Sequence, residues 1–185
     1  MKLKKVNAVL GLLPVPLLLA HIGYLTFCYL TMTQPVVKDP LSYPMMIVFC
    51  LHAVCGMSVL FLHPDGTRAD LYVGLNRRTV VQRVTAALSL PLLILHINTW
   101  NLLTSTYENG QWFLFGLLLF SEAVFYAVIL AHTATSWTNA LVTLGWLTSM
   151  EKKKKLDRVG GILLLLVFLV TVYAVLSGQI AMFAS

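Results

Sequence analysis

Four histidines lie in the apolar segments of this 185-residue chain, one in each of the first four segments. A side chain that can ionise and bind metal is costly within a bilayer, so it usually faces the interior of a helix bundle and has a function there. Neutral imidazole is a common protein ligand for iron. One histidine in each of four helices therefore predicts two pairs of facing metal ligands. The four residues are His21, His52, His96 and His132.

The composition predicts that transmembrane helices position these histidines. Hydrophobic residues make up 58% of the chain and charged residues 11%, with a mean hydropathy of +0.82, whereas a soluble domain has about 25% charged residues. Five stretches with few charges each reach the roughly 20 residues needed to cross a bilayer. They are residues 6–31, 41–62, 84–105, 111–135 and 159–183. We expect an all-α integral membrane protein, with residues 1–185 forming a single bundle of five transmembrane helices.

The positive charges predict the orientation of the bundle. With the N-terminus inside, twelve of the 13 lysines and arginines fall in inner segments, and only Lys38 falls in an outer one. The positive-inside rule then places the N-terminus in the cytoplasm and the C-terminus outside, in a multi-pass protein of the cell (inner) membrane. This distribution argues against nucleic acid as a partner. We interpret the basic run at 151–158 first as a determinant of topology. The alternative is a surface that binds anionic lipid or an acidic partner.

Helix direction and depth sort the histidines into an inner and an outer pair. At about 1.5 Å per residue, His21 and His96 lie in the outer halves of their helices, whereas His132 lies near the inner side. The first two are predicted to pair, and His132 to pair with a histidine of the second helix. Two separated pairs fit two bis-histidine haems b better than zinc, which favours four ligands clustered at one depth. The sequence contains no Cys-x-x-Cys-His motif for covalent haem.

The second helix offers two candidates for the inner pair, His52 and His63. They are eleven residues apart and point the same way. Gly56 lies four residues after His52 on the same face, and its missing side chain leaves room for a porphyrin. His63 precedes a Pro-Asp-Gly turn and is expected to be a solvated helix end or a hydrogen-bond donor to a haem propionate. These local residues favour His52.

Four short motifs carry a family resemblance. They are His52-Ala-Val-Cys-Gly56, Gln82-Arg-Val-Thr85 ahead of His96, Leu10-Gly-Leu-Leu-Pro14 ahead of His21, and His132 followed by Trp137 and Gly145-Trp146. Over nearly the whole chain, the sequence resembles the five-helix, two-haem cytochrome b subunit of succinate:menaquinone and quinol:fumarate oxidoreductases. The resemblance implies that His21 and His96 bind the iron of the distal haem, towards the outside. It implies that His52 and His132 bind that of the proximal haem.

The same resemblance implies a function and partners. The chain would be the membrane anchor and quinone-reactive, electron-transfer subunit of a succinate dehydrogenase or fumarate reductase complex. Its partners would be a flavoprotein with FAD and an iron–sulfur subunit on the cytoplasmic side, with menaquinone or another quinone in the bilayer. The dicarboxylate site would lie on another chain, and a dimer of such complexes is a further expectation.

Two acids are candidates for a quinone site or a proton relay. Asp39 is near the predicted membrane surface, and Glu122 is the only acid well inside a span. Glu122 precedes His132 by ten residues and lies about 80° away around the helix. A buried acid near developing quinone charge can relay protons, and the alternative is an acid hydrogen-bonded within the bundle. By analogy with the family, Gln82 and Arg83 contact haem propionates or quinone, although helical phase puts Arg83 off the His96 face.

Two other functions remain compatible with the pattern. One is a dihaem quinol-oxidising cytochrome b of another respiratory complex, such as a nitrate reductase or hydrogenase, although those cytochromes typically take two ligands from one helix. The other is a haem-free transporter or assembly protein that uses the histidines for protons or metal. The chain lacks the carboxylate relay of proton-coupled transport and has no detectable internal repeat.

Overall fold

The computed structural model of the chain describes residues 2–33, 40–62 and 77–184. Within these ranges the regular structure is entirely α-helical, and the helices are α1 (Lys2–Leu12), α2 (Pro14–Leu30), α3 (Ser42–Leu62), α4 (Arg77–Glu108), α5 (Trp112–Leu144) and α6 (Met150–Ala184). Because α1 and α2 run on as one apolar span, the described helices give five segments long and apolar enough to cross a membrane. The prediction of an all-helical chain with five such segments is confirmed.

The first span is divided by a proline. Pro14 has no N–H to donate to a carbonyl one turn back, and its ring crowds the preceding turn. α1 therefore ends at Leu12 and α2 begins at Pro14. Leu13 between them keeps a helical conformation and donates its N–H to the Val9 carbonyl at 3.0 Å. The span thus continues through the interruption as one membrane-crossing unit.

Three helices extend seven or more residues beyond the apolar spans that the sequence predicts. α4 begins at Arg77 rather than at 84, α5 continues to Leu144 rather than 135, and α6 begins at Met150 rather than at 159. A helix satisfies its own backbone in water as well as in lipid, so it does not have to stop where the apolar stretch stops. α5 ends where Gly145 adopts a left-handed conformation, with φ of 80°, and donates its N–H to the Val142 carbonyl.

The packing places α5 at the centre of the bundle. α4 and α5 form an antiparallel hairpin through a tight turn at Gly110, which has a positive φ of 67°. α5 also packs against α1 and α6, while α3 packs against α1 and α2, and α2 against α6. The buried centre is an apolar cluster on α5 and α6, formed by Phe125, Tyr126, Ile129 and Val175.

The exterior of the bundle is apolar. Large hydrophobic side chains are exposed along all of the described spans, including Phe113 at 83% and Tyr173 at 69%. Soluble monomers rarely expose such continuous apolar surface. The exposed side chains together with the five long apolar helices indicate a multi-pass membrane protein.

One end of the bundle carries the described lysines and arginines, and it is called the basic end below. It comprises the beginnings of α1, α4 and α6, with Lys2, Lys4, Lys5, Arg77, Arg78, Arg83, Lys152, Lys153, Lys154, Lys155 and Arg158. Arg78 and Asp157 join two of these helix beginnings through an ion pair. "Inner" refers to this end and "outer" to the opposite end.

Candidate functional site

The inner histidine pair consists of His52 on α3 and His132 on α5. Their ring centroids are 6.3 Å apart, and the ring planes are tilted by 56°. Two imidazoles bound on opposite sides of one metal ion, each with a metal–nitrogen distance of about 2 Å, have centroids roughly 6 Å apart. The spacing therefore suits two ligands of one metal ion.

A backbone carbonyl sets the tautomer of His132. The Nδ1 atom lies 3.2 Å from the Gln82 carbonyl oxygen and 3.2 Å from the Thr85 hydroxyl. Because a carbonyl can only accept, Nδ1 carries the hydrogen and donates it. Nε2 is then the unprotonated nitrogen, with its lone pair available to a metal.

The His52 ring packs against the backbone of α1. A Cβ atom built at Gly11 would lie 2.9 Å from His52 Cε1, so the glycine provides the space that the imidazole occupies. Gly56 also faces α1, since its Cβ would meet Asn7 Oδ1 at 3.5 Å, and its role in making room for a porphyrin stays a prediction. Nδ1 of His52 is buried and has no hydrogen-bond partner among the described residues.

A polar cavity of about 270 Å³ lies at the basic end beside the inner pair. Its lining includes Lys4, Asn7, Gln82 and Trp137 together with Gly11, the glycine against His52. Asn7 Oδ1 and Trp137 Nε1 are buried without a hydrogen-bond partner in the described part of the chain. The polar side chains of the lining, among them Lys4, Gln82 and Asn139, suit a polar ligand.

The outer pair consists of His21 on α2 and His96 on α4, which line one narrow apolar cavity of about 40 Å³. Leu18, Leu93 and Ile129 are among the apolar side chains around it. This volume is too small for a macrocycle, so the helices around it would have to separate to admit one. α2 packs against α6 and α3, and its Leu18 and Tyr29 also contact the apolar cluster on α5 and α6.

A buried carboxylate holds the ring of His96. Glu122 on α5 is 2% exposed, and its Oε2 accepts hydrogen bonds from the Tyr126 hydroxyl at 2.7 Å and from His96 Nδ1 at 2.8 Å. The Thr99 hydroxyl donates to Oε1 at 2.8 Å. The His96 ring also stacks on Phe125, with centroids 4.5 Å apart. As in His132, the donated Nδ1 hydrogen leaves Nε2 as the free nitrogen.

The helices that carry each pair are not closely packed on each other. Among the described residues, the closely packed helix pairs do not include α2 with α4, which carry the outer histidines. They also do not include α3 with α5, which carry the inner histidines. Along α5 the Glu122 partner of His96 lies ten residues before His132, so the two sites are separated by roughly 15 Å.

His52 lies close to His132, and His21 and His96 line one cavity. That these pairs are ligands stays a prediction. Gln82 lies at the inner pair through its carbonyl, and Arg83 is half-buried at the beginning of α4. Glu122 makes its hydrogen bonds to side chains within the bundle. Its role at a quinone site stays a prediction. Asp39 and His63 lie outside the described residues.

Sequence reasoning missed two features of these sites. Gly11 lies in a motif that the sequence singles out, but its contact with His52 depends on how α1 crosses α3. The contact between His96 and Glu122 could have been predicted from the sequence spacing. His96 precedes Gly110 by fourteen residues and Glu122 follows it by twelve, so an antiparallel hairpin with its turn at Gly110 brings them nearly opposite.

Comparisons with protein-family models, curated proteins and solved structures give no match. The candidate sites therefore rest on the geometry of the chain itself. Among the described residues no group of three or more His, Cys, Asp or Glu side chains is arranged to hold a metal ion. Each pair offers two imidazoles, which is the number that a porphyrin-bound iron needs to complete six ligands.

Proposed function

We propose that the chain is the dihaem cytochrome b membrane anchor of a succinate:quinone oxidoreductase or quinol:fumarate reductase in the cell (inner) membrane. It carries electrons between an iron–sulfur subunit and membrane quinone, with two bis-histidine haems b as its cofactors. The proposal rests mainly on the two histidine sites at different depths, each of which lies between helices that are not closely packed. In each site one histidine donates its Nδ1 hydrogen to the protein and keeps Nε2 free.

The residues that hold the haems follow from these pairs. His52 and His132 are the ligands of the inner haem, and His21 and His96 those of the outer haem. When bound, the haems supply a reversible one-electron couple whose potential the ligands and their surroundings set. The chain orients each ligand through the partner of its second nitrogen, the Gln82 carbonyl for His132 and the Glu122 carboxylate for His96.

The polar cavity at the basic end fits the propionates of the inner haem. Carboxylates need hydrogen-bond donors and positive charge, and the cavity wall offers Lys4, Gln82 and Asn139. The apolar wall of the outer cavity would in turn exclude water from the porphyrin edge.

The basic end is the proposed cytoplasmic face and the docking side of the two partner subunits. Lys152, Lys154 and Lys155 are exposed there at the beginning of α6, where that helix extends beyond the apolar span. The positive-inside rule supports the orientation. The flavoprotein with FAD, the iron–sulfur subunit and the dicarboxylate site belong to other chains of the complex, and menaquinone or another quinone reacts at this one.

Haem content tests the proposal directly. The purified protein, produced with a haem supply, should show reduced b-type absorption bands and two haems per chain. His21→Ala and His96→Ala should each remove one haem, and His52→Ala and His132→Ala the other. His63→Ala, which changes the remaining histidine of the chain, should keep both haems and is the matched control. A folded but colourless wild-type protein would contradict the assignment.

Co-purification tests the complex. The chain produced in its native membrane should be isolated with a flavoprotein that carries covalent FAD and with an iron–sulfur protein, and the assembly should reduce fumarate or oxidise succinate. A dihaem preparation that instead brings down a nitrate reductase or hydrogenase subunit would assign the chain to a different respiratory complex.

A further inference from the structure

Resting on the proposed haem ligation, we propose that Glu122 is a positioning residue that lowers the midpoint potential of the outer haem through His96. The carboxylate fixes the ring of the ligand and makes its free nitrogen a stronger donor to iron. Neither inner histidine has a carboxylate partner among the described residues, so the effect is confined to one of the two sites.

The geometry leaves one direction for the shared hydrogen. Glu122 Oε2 accepts the Tyr126 hydroxyl at 2.7 Å, and the same oxygen lies 2.8 Å from His96 Nδ1. With Glu122 ionised, both of its carboxylate oxygens can only accept, so His96 Nδ1 is the donor. Stacking on Phe125 holds the ring plane, with 22° between the two planes. His96 is therefore set in both tautomer and orientation before any metal is bound.

The carboxylate also acts through its charge. An iron porphyrin with two neutral imidazoles carries one net positive charge when ferric and none when ferrous. A carboxylate hydrogen-bonded to one ligand stabilises the charged, oxidised form, and the effect is large because a buried site screens charge weakly. Glu122 is 2% exposed, so water screens it little. Stabilisation of the oxidised form lowers the midpoint potential.

The inner pair provides an internal contrast. His132 donates its Nδ1 hydrogen to the neutral Gln82 carbonyl and lies beside the Thr85 hydroxyl. His52 Nδ1 has no partner among the described residues. Neither inner ligand thus has a carboxylate as its hydrogen-bond partner in the described structure. A change at Glu122 should shift the midpoint potential of one haem and leave that of the other unchanged, so the second haem is a reference within the same protein.

Glu122→Gln is the principal test, because glutamine keeps an acceptor of nearly the same size and removes the charge. In a redox titration followed by absorbance, the variant should bind two haems, and the potential of the outer haem should rise while that of the inner haem stays unchanged. Glu108→Gln removes an exposed carboxylate at the end of α4 and should move neither potential. Two bound haems with unaltered potentials in Glu122→Gln would overturn the inference and leave the proposed function intact.

A second measurement covers a variant that loses the outer haem. In His52→Ala protein, which should keep the outer haem only, the near-infrared charge-transfer band of the oxidised haem reports the anionic character of its histidine ligands. It should differ from the band of the inner haem in His21→Ala protein. Equal band energies would overturn the role of Glu122. A wild-type protein without haem would instead contradict the proposed function, and with it this inference.

Discussion

Gly11 of α1 lies directly against the imidazole of His52 on α3. A Cβ atom at this glycine would stand 2.9 Å from Cε1, 3.4 Å from Nδ1 and 3.5 Å from Nε2 of the ring. The first helix carries no ligand in its α1 segment, yet it forms one wall of the inner histidine site. The position of the ring therefore depends on the absence of a side chain on a neighbouring helix.

Gly11→Ala should displace the His52 ring and release most of the inner haem while the outer haem stays bound. Real Cβ atoms do not approach to 2.9 Å, and the ring, at the end of its side chain, is the part that can move. The haem-to-protein ratio and the spectrum of the remaining haem measure the effect. Gly23→Ala is the matched control, because a Cβ there meets nothing within 4 Å. Equal haem loss in both variants would contradict the role of Gly11.

Two adjacent glycines of α6 should respond oppositely to alanine. A Cβ at Gly160 would lie 2.8 Å from Trp137 Cζ2, whereas one at Gly161 meets nothing within 4 Å. Overpacking typically costs about 1–3 kcal/mol, while alanine in a helix is favoured over glycine by up to about 1 kcal/mol. Gly160→Ala should therefore unfold at lower temperature in detergent than wild type, and Gly161→Ala at the same or a higher temperature. The reverse order would show that α5 and α6 pack differently.

Asp157 should be the most important charged residue for the stability of the basic end. Its Oδ1 accepts from Arg78 Nη2 at 2.9 Å, and its Oδ2 accepts from Lys153 Nζ at 2.8 Å. The Thr138 hydroxyl also donates to it, so the carboxylate joins α4, α5 and α6. Asp157→Asn should lower the free energy of unfolding by about 1–2 kcal/mol, a moderate value because the ion pair is partly exposed.

The control for this prediction is Lys155→Gln, which removes an exposed charge from the same helix. It should change the thermal stability little, since exposed charges contribute about 0–1 kcal/mol. Thermal unfolding of both variants at low and high salt is the measurement. A variant pair with equal stability would mean that the Asp157 network does not hold the helices together.

The orientation of the bundle should follow its charges. A reporter that is active only in the cytoplasm should work when fused to the N-terminus and fail when fused to the C-terminus. A reporter that is active only outside should give the opposite pattern. The physical reason is the retention of lysine and arginine segments on the cytoplasmic side. Cytoplasmic activity at the C-terminus would reverse the proposed docking face.

The amino-acid sequence by itself determined the number of spans and the depth of each histidine. An apolar stretch of sufficient length must form a helix in lipid, because no other structure satisfies an isolated backbone segment there. Depth then follows by adding about 1.5 Å per residue. For this reason the sequence could pair His52 with His132 by depth, and their rings lie 6.3 Å apart in the structure. Depth is a property of each helix alone.

The tertiary structure decided what surrounds each histidine. The rotation of a helix about its axis and its distance from a neighbour depend on side-chain packing between segments far apart in sequence. Local spacing therefore points to Gly56 on the helix of His52 itself, and only the packing of α1 on α3 shows that Gly11 lies against the ring. Likewise the sequence relates Glu122 to His132 on the same helix, but the α4–α5 hairpin brings Glu122 into contact with His96. Contacts between helices, rather than positions along them, assign these partners.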